Sequence, residues 1–431
     1  MSIEPGWEER ATPYTSAVLL VVLGATGLFG YGGPLGFVIP ATLGGLLLAP
    51  VALRFRWPPV EWLVLALLVT WAAVTMLWSP ARPESPPVAY DDWEQLTPLK
   101  LALQLALYGV FIVAAVKVSA AGARRALWAM VALMFPWALL LLADGVSGGR
   151  AWVAITSAFG TETPVHLWEK KAAEGGYALA VLIWPALGFL LARRRPILAF
   201  AALGAATVGM AGLSAWSGVV AVFAGFGVML LIGALGVVGG RVLGIGAAAL
   251  TVAAPMIVLA AQSTGLFALV SDTLTPSWAA RTEIWSFTAD AIGQRPFFGW
   301  GIDASRTFGE AIPLHPHDAP LQLWLELGLP GVLIACAFWL VLGRRVSRLT
   351  EARAAAGQFA GATVAAYFTV GALSFGVWQE WWLAVGALAF AACALAAKVR
   401  PAGAPSLSEI GFRAAPHAAS RQTLPEEADA V

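Results

Sequence analysis

Long apolar runs separated by short polar breaks dominate the chain. A helix that crosses a bilayer needs roughly 20 mostly apolar residues, because the hydrocarbon core is about 30 Å thick. The pattern predicts twelve such helices and therefore an all-α polytopic integral membrane protein. The predicted spans are 15–33, 35–53, 60–78, 101–118, 126–142, 177–192, 196–213, 217–236, 242–261, 320–343, 357–376 and 380–398.

Two breaks between these spans are narrow. Arg193, Arg194 and Arg195 separate the sixth span from the seventh, whereas the small polar cluster from Ser214 to Ser217 alone separates the seventh from the eighth. Composition agrees with a membrane protein, since hydrophobic residues make up 59% of the chain and charged residues 12%. A soluble domain is about 45–50% apolar and about 25% charged. This balance excludes a disordered chain, a nucleic-acid binder and an ordinary soluble enzyme.

Basic residues divide unevenly between alternate loops. Of the 26 Lys and Arg, 18 fall in one set of loops together with the two ends of the chain, which predicts that both termini are cytoplasmic. An even number of spans agrees with this orientation. The net charge of +1 then conceals a positive inner side and a negative outer side. The predicted outer side holds Arg82, Lys100, Arg150, Lys170, Lys171, Arg281, Arg295 and Arg306.

Three longer segments leave the membrane on the predicted outer side, at 79–99, 143–176 and 262–319. Loops longer than about 12–15 residues are usually functional or disordered, and the aromatic-rich segment 262–319 is not of low complexity. We expect 1–398 to form a single transmembrane domain in which 262–319 carries the chemistry. Ala, Pro and Ser dominate 399–431, which predicts a disordered cytoplasmic tail.

One stretch of the long loop has helical periodicity. Ile284, Trp285, Thr288 and Ile292 share one face, which predicts a short amphipathic helix at the outer membrane interface. An interfacial anchor would explain this aromatic face equally well. Arg281 faces elsewhere, and its planar, permanently charged guanidinium suits phosphate oxygens.

Two of the four histidines of the chain lie in the sequence His315-Pro316-His317-Asp318, just before the tenth span. Three interpretations are open: a metal site, a solvated loop, or a catalytic histidine. No further His, Cys or carboxylate cluster lies nearby to complete a metal shell. Imidazole titrates near neutrality and can accept a hydroxyl proton, which favours a catalytic histidine.

Glu326 is the clear charge inside the apolar spans. A charge at the centre of a membrane helix costs about 2.5–3.5 kcal/mol on insertion scales, so it needs a partner or a wet cavity. A substrate-site residue and a hydrogen-bonded residue that fixes helix packing are both compatible with this position.

The segment from Arg281 to Gly331 resembles the signature region of the bacterial O-antigen ligase and O-antigen polymerase superfamily. Three motifs carry the resemblance. They are Arg281-x-x-Ile284-Trp285, Arg295-Pro296-x-x-Gly299-x-Gly301, and His317-Asp318 followed after nine residues by Gly328-Leu329-Pro330-Gly331. In the ligases of this family the residue after the histidine is usually Asn, Ser or Gln, whereas here it is Asp318.

The resemblance implies a GT-C-like, metal-independent, inverting glycosyltransferase at the periplasmic face of the bacterial inner membrane, without a cofactor. The implied donor is a glycan on undecaprenyl diphosphate. The acceptor is a sugar hydroxyl, on lipid A-core for a ligase or on a second lipid-linked glycan for a polymerase. Carried over by position, His317 becomes the base that deprotonates the acceptor, and Arg281 becomes the cation on the leaving diphosphate.

The sequence departs from the family pattern in one hairpin. Many ligases carry a second arginine there, but this chain reads Ser214-Ala215-Trp216-Ser217-Gly218. Another cation would then have to act on the donor. We expect the substrate-binding residues to come from Lys170, Lys171, Arg295, Arg306, Glu326 and His315, although the family assigns no role to His315.

A ligase is favoured over a polymerase because the spacing from His317 to Gly328 follows the ligase pattern. A flippase for lipid-linked sugars is the alternative from another class of protein. Transporters place polar residues and broken helices near the bilayer midplane, whereas the polar candidates here cluster in one outer loop. No phosphate-binding loop of the ATPase type occurs in the sequence.

Overall fold

The computed structural model describes residues 7–52, 59–83, 96–273 and 276–399, and this part of the chain is helical without a β-strand. Residues 400–431 of the predicted tail 399–431 and residues 84–95 of the Pro-rich segment 79–99 lie outside the described residues. Fifteen α-helices follow one another in the described part: α1 (Trp7–Phe29), α2 (Leu35–Ala52), α3 (Val60–Thr75), α4 (Thr97–Lys117), α5 (Ala120–Ser147), α6 (Arg150–Ala158), α7 (Trp168–Ala192), α8 (Pro196–Gly212), α9 (Trp216–Leu235), α10 (Val237–Ser263), α11 (Leu266–Thr273), α12 (Pro276–Gln294), α13 (Ala319–Ala352), α14 (Ala354–Leu373) and α15 (Glu380–Ala396).

Each of the twelve predicted spans lies on one of these helices. By length and composition, eight are able to cross a membrane: α1, α2, α4, α5, α7, α9, α10 and α13. Three more, α3, α8 and α15, are apolar but shorter. The prediction of an all-α polytopic membrane protein is therefore confirmed, while the count of twelve crossings stays a prediction.

The two narrow breaks fall where the sequence predicts them. Helix α7 ends at Ala192 and α8 begins at Pro196, so the three arginines form the connection. Proline suits the first position of a helix because its missing N–H would lack an intrahelical partner there anyway. Helix α8 ends at Gly212 and α9 begins at Trp216, which confirms the short hairpin between them.

Helix α7 is the centre of the bundle. It packs against α5, α8, α9, α14 and α15, and most of its second half is buried. Trp184 on α7 is fully buried, and a Cβ on Gly225 would lie 2.6 Å from its ring. Small residues let membrane helices approach closely, since lipid supplies no hydrophobic drive for their association. The first turns of α7 are therefore held rigidly at the predicted outer side.

Helices α10 and α13 form a second close pair. A Cβ added to Gly244 would lie 3.0 Å from the Cα of Gly343, and one added to Gly343 would lie 2.7 Å from the carbonyl oxygen of Gly240. The backbones therefore nearly touch at this crossing. Because α13 begins directly after the His315–Asp318 turn, this pair anchors the C-terminal end of the segment 262–319.

A kink in α13 explains two of the sequence motifs together. Gly328 has φ 61° and ψ −164°, a conformation that breaks the helical hydrogen bonds and that L side chains rarely adopt. The carbonyls freed by this kink accept from the preceding loop: the Trp300 N–H donates to the Leu325 oxygen at 2.8 Å, and the Gly301 N–H donates to the Glu326 oxygen at 2.8 Å.

The same loop approaches α13 too closely for side chains. A Cβ on Gly299 would lie 2.6 Å from the Glu326 carbonyl oxygen, so only glycine fits there. On the far side of the kink the Leu329 N–H donates to the Pro296 carbonyl at 3.0 Å. The second and third motifs thus form one set of backbone-to-backbone hydrogen bonds that fixes the segment 262–319 on α13.

The predicted amphipathic helix exists as α12, but its apolar face has a different partner from the one expected. Trp285 and Ile292 are buried in a cluster with Val258 of α10 and with Leu321 and Leu325 of α13. The expectation that this face lies on the membrane interface is wrong, because these side chains from α10 and α13 cover it.

Candidate active site

The turn from His315 to Asp318 is held from both sides. The Trp285 indole N–H donates to the Pro316 carbonyl at 2.9 Å. Asp318 caps α13 by accepting from the Leu321 N–H at 2.8 Å. His317 itself adopts φ 56°, a left-handed conformation that costs a non-glycine residue roughly 1–3 kcal/mol and that clusters at functional sites. The Trp285 contact also gives the first motif a structural reason.

The ring of His317 is oriented by a backbone carbonyl. Its Nδ1 lies 2.8 Å from the Ser374 oxygen, in the segment between α14 and α15. A carbonyl oxygen can only accept, so Nδ1 carries the proton of the neutral ring and Nε2 keeps its lone pair. Burial lowers the pKa of His317, the Ser374 carbonyl partly offsets this, and the charges of Arg281 and Lys170 lower it further. These effects favour the neutral ring that a general base requires.

The ring of His315 has different hydrogen-bond partners from that of His317, although the two ring centroids are only 4.3 Å apart. It is 5% exposed, its Nδ1 accepts from the His317 N–H at 3.1 Å, and its Nε2 faces the Gln379 side-chain amide at 3.0 Å. Burial, helped by His317, Arg306 and Arg281, lowers the pKa of His315 to about 3. Gly376 leaves it room, since a Cβ there would lie 3.0 Å from the ring. With both nitrogens engaged, His315 supports the turn and offers no open lone pair.

A chain of hydrogen bonds joins Arg281 to His317. The Arg281 guanidinium bonds to the Tyr177 hydroxyl, which also bonds to the Ser217 hydroxyl. The Ser217 and Ser374 hydroxyls are 2.5 Å apart, and Ser374 holds the histidine ring through its carbonyl. The two residues that the sequence selected as base and cation are therefore held by one continuous network.

Arg281 lies in a partly dry environment. Burial lowers its pKa, and the hydrogen bond and charge of Tyr177 counteract this. Its guanidinium also lies over the Trp278 ring, 5.0 Å from the centroid. A charge that is partly removed from water acts more strongly on a neighbouring anion. The arrangement gives a fixed cation beside the open nitrogen of His317.

Lys170 and Arg306 are the other candidate cations near the two histidines. Lys170 lies on the first turn of α7 and is close enough to lower the pKa of His317. Arg306 lies on the loop before the turn and acts in the same way on His315. Arg306 is half-exposed and pairs with Asp303 at 3.6 Å. No hydrogen bond or ion pair engages Lys170 among the described residues.

Lys171 and Arg295 are engaged elsewhere. Lys171 pairs with Glu174 at 2.8 Å and lines a different cavity. Arg295 stacks over the Trp300 ring at 4.0 Å and lines an apolar groove of about 620 Å³ beside Trp78, just after the C-terminal end of α3. The structure therefore does not bring these two predicted binding residues to His317.

The carboxylate of Glu326 is fully occupied by the protein. It accepts from the Trp378 indole N–H at 2.6 Å, from the Gln322 amide at 3.0 Å, and from the backbone N–H groups of Asp303 and Ser305 at 3.0 and 3.4 Å. It is 0% exposed. Of its two interpretations, the contacts support the one in which it fixes packing.

Tyr177, Ser217 and Ser374 are candidate functional residues that the sequence does not predict. Each is an ordinary polar residue near the end of an apolar run, and a single sequence does not show which run ends meet in space. The one signal in the sequence is the short hairpin that contains Ser217 and lacks the arginine of the family pattern. Among the described residues no group of three His, Cys, Asp or Glu side chains comes together that could hold a metal ion.

Comparison with known proteins relates this part of the chain to a family. Residues 180–336 match the family model described as O-Antigen ligase, and the match includes Arg281, both histidines of the turn and the kink at Gly328. This region of the chain is therefore similar to the O-antigen ligase superfamily.

Part of the chain is also similar to proteins from several Rickettsia species. A protein of Rickettsia conorii named "Putative polysaccharide ligase" is 33% identical over 126 residues, which are 26% of this chain and 30% of that protein. Proteins of the same name from Rickettsia felis and Rickettsia prowazekii are 31% and 32% identical over the same shares. The chain thus matches about 30% of the length of these relatives.

Proposed function

We propose that the protein transfers a glycan from undecaprenyl diphosphate to a sugar hydroxyl of lipid A-core, at the periplasmic face of the inner membrane. The observation that carries this proposal is the position of Arg281 beside the free ring nitrogen of His317. The Nε2 of His317 is unengaged while its Nδ1 is held by Ser374, and Arg281 is fixed next to it. A base and an anion-binding cation are the two groups that this reaction needs.

In the proposed step, His317 Nε2 takes the proton of the acceptor hydroxyl. The acceptor oxygen attacks the anomeric carbon from the side opposite the diphosphate, which inverts the configuration. The bond from that carbon to the diphosphate oxygen breaks, and undecaprenyl diphosphate leaves with the bonding electrons. A positioned general base contributes about 10²–10⁴-fold, and alignment of the two substrates lowers the barrier by up to about 7–11 kcal/mol.

Arg281 stabilises the charge that develops on the leaving diphosphate. Its planar fork matches two phosphate oxygens at once, and the Tyr177 hydroxyl orients it. Lys170 takes the place of the second arginine of the family. The charge of Lys170 lowers the pKa of His317, so Lys170 lies near the site. Two of the other candidate cations are engaged elsewhere, because Lys171 pairs with Glu174 and Arg295 stacks on Trp300.

The orientation of the site follows from the distribution of basic residues, which favours the loops opposite to 262–319 as cytoplasmic. The donor's polyprenyl chain would stay in the bilayer while its diphosphate meets the cations at the outer surface. A flippase for the same lipid would need no general base. The fixed orientation of the His317 ring therefore favours a transferase.

The test is the glycan profile of a strain of the source bacterium from which the gene is deleted. We expect polymer to disappear from lipid A-core while polymer linked to undecaprenyl diphosphate accumulates, and the full-length gene to reverse both. Accumulation of single lipid-linked repeats would instead assign the protein as the polymerase of the same superfamily. Loss of lipid-linked glycan from the outer leaflet would assign it as a flippase.

A further inference from the structure

We propose that a second cavity, beside the His317 site, binds a sugar unit of one of the two glycan substrates. The cavity has a volume of about 530 Å³ and lies between the turn at 32–35, the segment 161–167 and the first turns of α7. Ligand pockets in proteins are typically about 300–1,000 Å³. This proposal rests on the proposed function, because it assigns a subsite for the substrates of that reaction.

The lining has the chemistry that a polyhydroxylated ligand needs. Two threonine hydroxyls, Thr161 and Thr163, stand beside the carboxylates of Glu162 and Glu174 and the ammonium of Lys171. These groups supply donors as well as acceptors, which suits sugar hydroxyls, since each hydroxyl both donates and accepts. A phosphate would meet two carboxylates here, so a neutral, hydroxyl-rich ligand fits the cavity better than an anion does.

Several of these polar groups retain unused hydrogen-bonding capacity. Lys171 has three N–H donors and spends one on Glu174. The indole N–H of Trp152, a cavity-lining residue that is 5% exposed, has no partner among the described residues. An unpaired buried donor is unfavourable, and a hydrogen bond to a ligand acceptor would remove this cost.

The wall of the cavity is rigid before any ligand binds. Asp144 is fully buried, and its carboxylate accepts from the Tyr31 hydroxyl and, at 2.9 Å, from the backbone N–H of Trp152. Gly148 and Gly149 both adopt left-handed conformations in the turn between α5 and α6. Asp144 thus joins the start of α6 to the turn after α1. A preformed wall loses little conformational entropy on binding.

The cavity is linked to the reactive centre through α7. Lys170 and Lys171 are neighbours in sequence, yet the charge of Lys170 lowers the pKa of His317 whereas Lys171 lines the cavity. Glu174, also in the lining, lies one turn before Tyr177, and the two interact electrostatically. A sugar seated in the cavity would therefore adjoin the network that holds Arg281. This position suits a unit next to the sugar that reacts.

The experiment measures glycan transfer by the full-length protein in proteoliposomes, with separate titrations of the two substrates. The donor is undecaprenyl diphosphate-linked glycan and the acceptor is glycan-free lipid A-core, both extracted from the deletion strain. Glu162→Gln and Thr161→Val change two exposed cavity groups with little effect on packing, and Asp290→Asn is the control, an exposed acid on α12 outside the cavity.

We expect each cavity variant to raise the KM of one substrate about tenfold while kcat changes less than about threefold, because these groups bind a remote sugar and not the reacting atoms. A raised donor KM assigns the subsite to the donor glycan, and a raised acceptor KM assigns it to the acceptor. Unchanged KM values for both substrates, equal to those of Asp290→Asn, would overturn the proposal.

A binding titration separates this proposal from the proposed function. Tryptophan fluorescence of the full-length protein is followed as core oligosaccharide released from the same lipid A-core, or glycan released from the donor, is added. Saturable binding that weakens about tenfold in Glu162→Gln supports the subsite even if the parental protein transfers nothing. Transfer that depends on His317, together with no binding of either oligosaccharide, would overturn the subsite and leave the proposed function standing.

Discussion

The Nδ1 of His317 lies 2.8 Å from the carbonyl oxygen of Ser374, and this contact decides which nitrogen of the ring is free. Because the carbonyl must accept, the lone pair of the neutral ring lies on Nε2. The hydroxyl of Ser374 belongs to the network that reaches Arg281 through Ser217 and Tyr177. The orientation of the base and the position of the cation are therefore coupled through one residue.

The pH dependence of transfer should follow the protonation of His317. Burial holds its pKa below the ordinary value of 6.5, so the ring stays neutral at and above that pH and the rate should be flat there. Below the lowered pKa the ring gains a proton and loses its function as a base, so kcat should fall about tenfold per pH unit. A kcat–pH profile in proteoliposomes checks this. A rate that rises continuously from pH 6.5 to pH 9 would contradict the assignment.

Tyr177→Phe tests the network. Phenylalanine keeps the edge-to-face packing on Phe375, with centroids 5.2 Å apart, but removes the hydroxyl that holds Arg281. Loss of a hydrogen bond to a charged group costs about 1.5–3 kcal/mol, so we expect kcat to fall roughly ten- to a hundredfold. Tyr367→Phe is the matched control, since its hydroxyl lies 3.3 Å from the Trp382 carbonyl, outside the network. Equal transfer rates for the two variants would show that the Tyr177 hydroxyl does not position Arg281 for catalysis.

Glu326 should behave as a packing residue. Glu326→Ala leaves the donors of Trp378, Gln322, Asp303 and Ser305 without their buried acceptor. We expect a loss of more than about 3 kcal/mol of stability, seen as a lower melting temperature in detergent and less protein in the membrane. If the variant accumulates and melts like the parental protein but has a raised substrate KM, Glu326 binds substrate instead.

Asp318→Asn should change the pH dependence of stability. Burial raises the pKa of Asp318 to about 7, so the folded protein favours the protonated form. This favourable contribution is complete below the unfolded value near 3.8 and is lost as the pH rises through about 7. Asparagine keeps the cap on Leu321 without a charge. The variant should therefore match the parental melting temperature below about pH 3.8 and exceed it by a margin that grows up to about pH 7 and is retained at pH 8; a lower value at pH 8 would contradict this.

The sequence predicted what depends on local pattern. Each span predicted from an apolar run lies on a helix of the structure. The structure also has helix breaks at Arg193–Arg195 and at the Ser214–Ser217 cluster, as predicted. The sequence also brought together Arg281 and His317, because the motif order carried that information. It could not show that Lys171 faces away from Lys170, since neighbouring helical residues point about 100° apart and only the packing of α7 decides which faces the site.

The role of the glycines likewise needed the fold. Gly299 and Gly328 are 29 residues apart, and only the kink in α13 shows that a Cβ on either would collide with the backbone of the other segment. The apolar face of α12 was predicted correctly, but its partners, Val258 and Leu321, come from two other helices. Long-range partners of this kind leave no trace in the local periodicity of one sequence.

We propose that His317 is the base of a glycan transfer. The most direct test is the single-turnover rate of transfer from undecaprenyl diphosphate-linked glycan to lipid A-core, with the parental protein and His317→Ala reconstituted in equal folded amounts. We expect His317→Ala to bind the donor still but to transfer the glycan at least about a hundredfold more slowly. Transfer by His317→Ala at the parental rate would contradict it.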